Sequence, residues 1–111
     1  MIQRGDKLKS LEQLTDSVFY IMAAFTQPKH GYAVMSDIEA LTDGEVTIGP
    51  ASLYTIIKKL MNQEYITLYD DSDSRRKVYT LTEKGHDVLE HDIIRRQKMI
   101  RFAQIGLKGD V

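Results

Sequence analysis

The sequence predicts a mainly α-helical domain that carries one small β-hairpin and closes on a long C-terminal helix. Three observations support this. Apolar residues recur at helical spacing in four segments. The period drops to two on either side of a polar turn at residues 70–74. The last helical segment is too long for the core of so small a chain to cover. The 111 residues are 42% apolar and 28% charged, which is enough for one core and too apolar for a disordered chain. Sixteen acids against fifteen bases leave a net charge of −1, so any surface for a polyanion must be a local patch. With no cysteine, disulfide scaffolds, zinc fingers with cysteine ligands and cysteine nucleophiles are excluded. No apolar run reaches the roughly 18 residues of a membrane span, and the polar start lacks the core of a signal peptide, so the expectation is a cytoplasmic protein without membrane contact.

In chain order, residues 1–9 read as a flexible, slightly basic arm with Arg4, Lys7 and Lys9 against Asp6. Leu14, Val18, Ile21, Met22 and Phe25 then share one helix face. Ser10 and Gln13 have capping-box spacing, Thr15-Asp16 offers a second start, and Gln27-Pro28 ends the run, which places a first helix over about 11–26. Val34, Met35, Ile38 and Leu41 mark a second helix over about 31–41, closed at Thr42-Asp43-Gly44 by a glycine free to take positive φ. Glu45 to Ile48 reads as a short extended piece. Gly49-Pro50 opens a third helix over about 50–63, with Leu53, Ile56, Ile57, Leu60 and Met61 on its apolar side. Tyr65–Tyr69 and Arg76–Leu81 alternate as the two strands of a hairpin with a loop of about five residues. Thr82 and Glu83 cap and charge the start of the last helix, which runs to about residue 105. At about 23 residues that helix would extend roughly 35 Å.

Three helices followed by a two-stranded ribbon is the winged helix-turn-helix order, in which the third helix enters the DNA major groove. The third helix here leaves Ser52, Tyr54 and Thr55 near its N-terminus and Lys58 and Lys59 further on, the donors and cations that base edges and phosphates take. Arg75-Arg76-Lys77 puts three adjacent cations on the hairpin, in reach of a phosphate backbone. Each patch alone also suits a plain solvated surface; the topology puts both on one side of one domain. The acids Asp70, Asp71 and Asp73 oppose DNA and are expected to point away from it or to hold the arginines.

Four segments resemble PadR-like transcriptional regulators. Leu14-Thr15-Asp16-Ser17-Val18-Phe19-Tyr20-Ile21 looks like that family's opening helix, and His30-Gly31-Tyr32 like the start of its second. Gly49-Pro50-Ala51-Ser52-Leu53-Tyr54 is similar to its recognition helix, with variation at Ala51 and Ser52. The stretch from Arg75 through Gly85 resembles its second wing strand and last helix. The likeness covers about residues 11–90 and is closest to the short subfamily. It implies a homodimeric DNA-binding regulator, often a repressor, with Tyr54 at a DNA-contacting position. It also implies a dimer interface built from the first and last helices: Phe19, Met22, Leu89, Ile93, Ile100 and Ala103. Some members bind aromatic or cationic effectors in the dimer cavity against an aromatic of the last helix. Here the chain lacks tryptophan and Phe102 is the only aromatic there, so Phe19, Met22, Met99 and Phe102 are read either as an effector pocket or as plain dimer core.

The domains expected are an arm (1–9), a winged helix-turn-helix (10–82), a dimerisation helix (83–106) and a tail (107–111). His86 with Glu90 and Asp87 with His91 stand four apart on the last helix, short of a zinc ligand set, and no phosphate-binding or nucleophile motif occurs. No metal, cofactor or catalysis is expected. Tyr20, Tyr32, Tyr65, Tyr69 and Tyr79 read as core-edge or hairpin-packing residues. The partners expected are double-stranded DNA and a second copy of the chain, with an unidentified small effector. An adaptor that binds proteins through the hairpin or last helix, and a ligand-sensing dimer that never meets DNA, are the alternatives.

Overall fold

The computed structural model describes residues 13–70, 72 and 75–109. In order these form α1 (Asp16–Ala24), β1 (Lys29–His30), α2 (Gly31–Leu41), α3 (Pro50–Asn62), β2 (Ile66–Asp70), β3 (Val78–Leu81) and α4 (Glu83–Leu107). The strands make an antiparallel sheet in the order β1-β3-β2. The helix-turn-helix and its wing are therefore present, with a third strand added at the wing's inner edge.

The core lies where α1, α2 and α3 converge under the sheet. Ile21, Met22 and Phe25 from α1 meet Val34 and Ile38 from α2 and Leu53, Ile57 and Leu60 from α3. Ile66, Leu81, Val88 and Leu89 close it from the wing and α4. The apolar stripe of α3 is buried as its spacing requires, which forces its opposite face outward. Phe25 ties α1 to the sheet: its carbonyl accepts the Leu81 N–H at 3.0 Å and its ring meets Tyr79 edge-on at 5.9 Å. At the base of α4, the Thr82 hydroxyl accepts the Gly85 N–H and donates to the Glu64 carbonyl at 2.6 Å. Gly85 is obligatory there, because a Cβ would lie 2.1 Å from the Tyr65 carbonyl oxygen.

Several boundaries differ from the sequence expectation. The first helix begins at Asp16 because Thr15 caps the Val18 N–H and because Leu14 has both backbone groups taken by α4: its N–H by Asp92 and its carbonyl by Arg96. Residues 11 and 12, and Ser10 with its capping box, lie outside the described residues, as does the arm at 1–9. The third strand is Lys29–His30, paired as Lys29 to Tyr79 and His30 to Val78, and not Glu45–Ile48, which carries no strand. Two residues are too few to show a period. The ladder of β2 and β3 slips between Leu68 and Asp70, and Asp70 accepts the Ser72 N–H at 2.9 Å, which turns the chain off the sheet. Arg76 and Lys77 are thereby left in the connection between the strands. Leu41 is 86% exposed despite its helical spacing, and Tyr32 and Tyr69 stand in solvent where packing was expected. Asp37 on α2 is half-buried and paired with Lys29 beside it in β1. Among the described residues no helix is long and apolar enough to cross a membrane.

Candidate nucleic-acid interface

The four long helices begin in two different ways. Thr15 and Thr82 cap α1 and α4 with a hydroxyl, and each is followed by an acid, Asp16 or Glu83. His30 and Gly49 precede α2 and α3 with no side-chain cap, and neither first turn holds an acid. Among the described residues, the first N–H groups of α2 and α3 thus have no capping side chain, and they carry the positive end of the helix dipole.

The start of α2 opens onto a cleft that α3 reaches through Tyr54. This cleft, of about 710 Å³, is lined by His30–Ala33 at the start of α2, Tyr54 of α3, Tyr79 of β3 and the cations Arg75, Arg76 and Lys77 of the wing. No carboxylate is among these residues. Gly31 makes the approach of α3 possible: a Cβ there would sit 3.3 Å from the Tyr54 ring and 3.5 Å from its hydroxyl. Burial pushes the Tyr79 hydroxyl above its ordinary pKa and Tyr54 adds to the shift, so Tyr79 stays a neutral donor. His30 Nδ1 is buried without a hydrogen-bond partner among the described residues. Asp70, at the end of β2, is held below the usual carboxylate range first by the Ser72 N–H and then by its hydroxyl. Asp71 and Asp73 lie outside the described residues.

The residues singled out on α3 and the wing — Ser52, Tyr54, Thr55, Lys58, Lys59, Arg75, Arg76 and Lys77 — are all exposed. Thr55 has its hydroxyl proton committed to the Ala51 carbonyl at 2.9 Å, so it offers a partner only lone pairs and a methyl group. The structure brings Tyr54 and the three wing cations together. It adds His30, Gly31, Tyr32 and Tyr79, which the sequence reading did not assign to the site. The signal for the first two was present: a helix opening on His-Gly with neither cap nor acid.

The residues read as a dimer surface divide in two. Met22 is fully buried and Leu89 nearly so, both inside the core of their own chain, and Phe19 is half-buried. These pack within the protomer because α1 and the first turns of α4 close the domain. Ile93, Ile100 and Ala103 are exposed, as are Ile94, Met99, Phe102 and Leu107. The four residues read as an effector pocket differ in exposure within one chain. Met22 is sealed, the Arg96 guanidinium covers the Phe19 ring at 4.4 Å, and Met99 and Phe102 stand in solvent.

Residues 18–91 match the model of the transcriptional regulator PadR-like family. The transcriptional regulator YqjI of Escherichia coli K12 is 33% identical over 63 residues, which is 57% of this chain and 30% of YqjI. The chain therefore spans under a third of the length of that relative. A transcriptional regulator from Clostridium thermocellum superposes with a TM-score of 0.68 at 19% identity, over 78% of this chain and 88% of that one. A variant of Lactococcus lactis ZitR in complex with DNA superposes with a TM-score of 0.61 at 22% identity, over 86% of this chain and 62% of ZitR.

Proposed function

Because the chain belongs to the PadR-like family of transcriptional regulators, we propose that it binds a pseudo-palindromic operator as a homodimer and acts as a repressor. The observation that carries this reading is the cleft. It joins the recognition-helix residue Tyr54 to Arg75, Arg76 and Lys77, beside a helix start that lacks both cap and acid. Among tyrosine rings and the Ala33 methyl, its polar groups are cations, hydroxyls, an imidazole and backbone, with no carboxylate, the chemistry of a phosphate seat. The exposed edge of α3 beside it carries Ser52, Thr55, Lys58 and Lys59 toward a major groove. That a protein of this fold, ZitR, was solved in complex with DNA supports DNA as the partner.

The dimer rests on the outer half of α4. Ile94, Met99, Ile100, Phe102 and Leu107 are all more than half exposed in one chain, an apolar surface that a monomer rarely leaves open. A second copy covers it symmetrically, and two-fold symmetry spaces the half-sites about one helical turn apart or a multiple of it. Selection from a random duplex pool tests the reading, followed by gel shift of the selected site. Tyr54→Ala is expected to weaken operator binding with the fold intact. Arg75→Ala with Arg76→Ala is expected to weaken all duplexes alike and to lower the log–log salt slope by about two. Failure to enrich any duplex, with partners captured at the hairpin or last helix, would leave the adaptor reading instead.

A further inference from the structure

Asp92 is the charged residue among those described that is completely sealed from solvent, and it is remote in sequence from the nucleic-acid face. Its Oδ1 accepts the Leu14 N–H at 3.3 Å and Arg95 Nε at 2.8 Å, and its Oδ2 accepts Arg96 Nε at 2.8 Å. Arg96 then reaches across: Nη1 donates to Asp16 at 2.8 Å, Nη2 donates to the Leu14 carbonyl at 3.0 Å, and the guanidinium lies over the Phe19 ring. One carboxylate and one arginine on α4 thus grip residues 14–19 by both backbone and side chain. The grip sits where α4 leaves the domain. Gly85, Val88, Leu89 and Asp92 are buried, while Ile93 and nearly every residue after it are open or only half covered.

Burying an ion pair is a weak route to stability, since apolar replacements are often neutral or better. What a network of directional bonds supplies is a single geometry. Apolar packing of α1 on α4 would tolerate sliding or tilting, whereas an arginine fork and a doubly engaged carboxylate do not. We propose that the Asp92–Arg96 clamp is a positioning device that fixes the angle between the DNA-reading head and the dimer helix, and so sets the half-site spacing the protein accepts. This rests on the homodimer-and-operator reading above. The lever is long: residues 92–107 of α4 span roughly 24 Å, so a tilt of about 10° at the joint displaces the head by about 4 Å. That exceeds the step of about 3.4 Å between base pairs.

The experiment uses the absence of cysteine. A spin label on Gln27→Cys, an exposed position in the turn after α1, reports the distance between the two heads of a dimer. The parent protein is expected to give one narrow distance and to lose about tenfold or more in affinity when the spacer of its selected operator is changed by one or two base pairs. Asp92→Asn and Arg96→Met are expected to broaden the distance distribution and to cut that discrimination to about threefold or less. Affinity for a single half-site is expected to be unchanged, which loss of fold would not leave intact. Arg96→Met keeps Asp92 bonded to Arg95 and Leu14. Asp16→Asn alters only the exposed end of the clamp and is expected to act in the same direction more weakly, so these two decide the matter if Asp92→Asn does not fold. A narrow distance and full discrimination in all three variants would overturn the clamp's role while leaving the dimer reading in place. A parent protein that runs as a monomer, or shows no spacing preference, would overturn the dimer reading and the clamp proposal with it.

Discussion

Two pairs of helices in this chain begin under opposite rules. At α1 and α4 a threonine hydroxyl and a first-turn acid satisfy the free amides and the dipole. At α2 and α3 the chain supplies neither. The first pair frames the domain: α4 lies against α1 and β3, and the Asp92–Arg96 grip joins its third turn to the residues just before and within α1. Of the second pair, α2 starts in the cleft that holds Arg75, Arg76 and Lys77, and α3 lines it through Tyr54. The difference teaches how to separate residues kept for folding from residues kept for a partner. Where a helix start is closed by its own chain, its business is internal; where it is left open beside cations, the acceptor is expected from outside.

The comparison is broken most severely at the closed ends. Gly85→Ala puts a methyl group against the Tyr65 carbonyl oxygen, a backbone atom that cannot rotate away. The expected loss is about 3 kcal/mol or more, above the usual cost of overpacking, read as a melting temperature lower by more than about 10 °C. Asp92→Ala comes next, at about 2–3 kcal/mol, since it strands two arginines that are each about a quarter exposed and so partly rehydrate. That loss should depend on pH. Burial by itself raises the pKa of Asp92, but the bonds from Arg95, Arg96 and Leu14, with the charge of Arg95, outweigh it and hold the carboxyl below the usual carboxylate range. A depressed folded-state pKa contributes stability that is complete above the unfolded value of about 3.9 and is lost as pH falls through the folded value. Thermal melts from about pH 6 to 2.5 should therefore converge for parent and variant at the acid end. Thr82→Ala is smaller again, about 1–2 kcal/mol, for one cap and one bond to the Glu64 carbonyl.

The same division explains what could be read in the sequence. The elements α2, α3 and α4 follow from local period and local chemistry: the stripe of Leu53, Ile57 and Leu60, the proline after Gly49, and Thr82 before Glu83. What local pattern could not reveal was decided by distant residues. The start of α1 is set by a carboxylate 78 positions away and an arginine 82 positions away, which hold Leu14 out of the helix. The third strand is two residues long and exists only because β3 lies beside it. Met22 and Leu89 share the apolar character of Ile100 and Phe102, and spacing alone did not separate residues that fill their own core from residues left open on α4. At the candidate site, the exposed face of α3 and the wing cations were legible as chemistry. The contribution of α2 was not, because its signal is a missing cap rather than a present motif.

The smallest expected effect is also the sharpest test of the open ends. Gly49 sits before α3 at φ −74° and ψ 160°, a conformation any residue adopts, and a Cβ there would meet nothing within 4 Å. Gly49→Asp therefore installs the cap and the negative charge that α1 and α4 already have. By the rules that govern α1 and α4, stability should rise by about 0.5 kcal/mol, visible as a melting temperature a few degrees higher. Operator affinity should fall, because the new carboxylate takes the amides intended for a phosphate and repels the backbone beside them. Gly49→Asn separates the two effects: it caps without the charge, so it should keep most of the stabilisation and lose less binding. A variant that gains stability and binds DNA as tightly as the parent would show that the open start of α3 is an economy of sequence and has no part in docking.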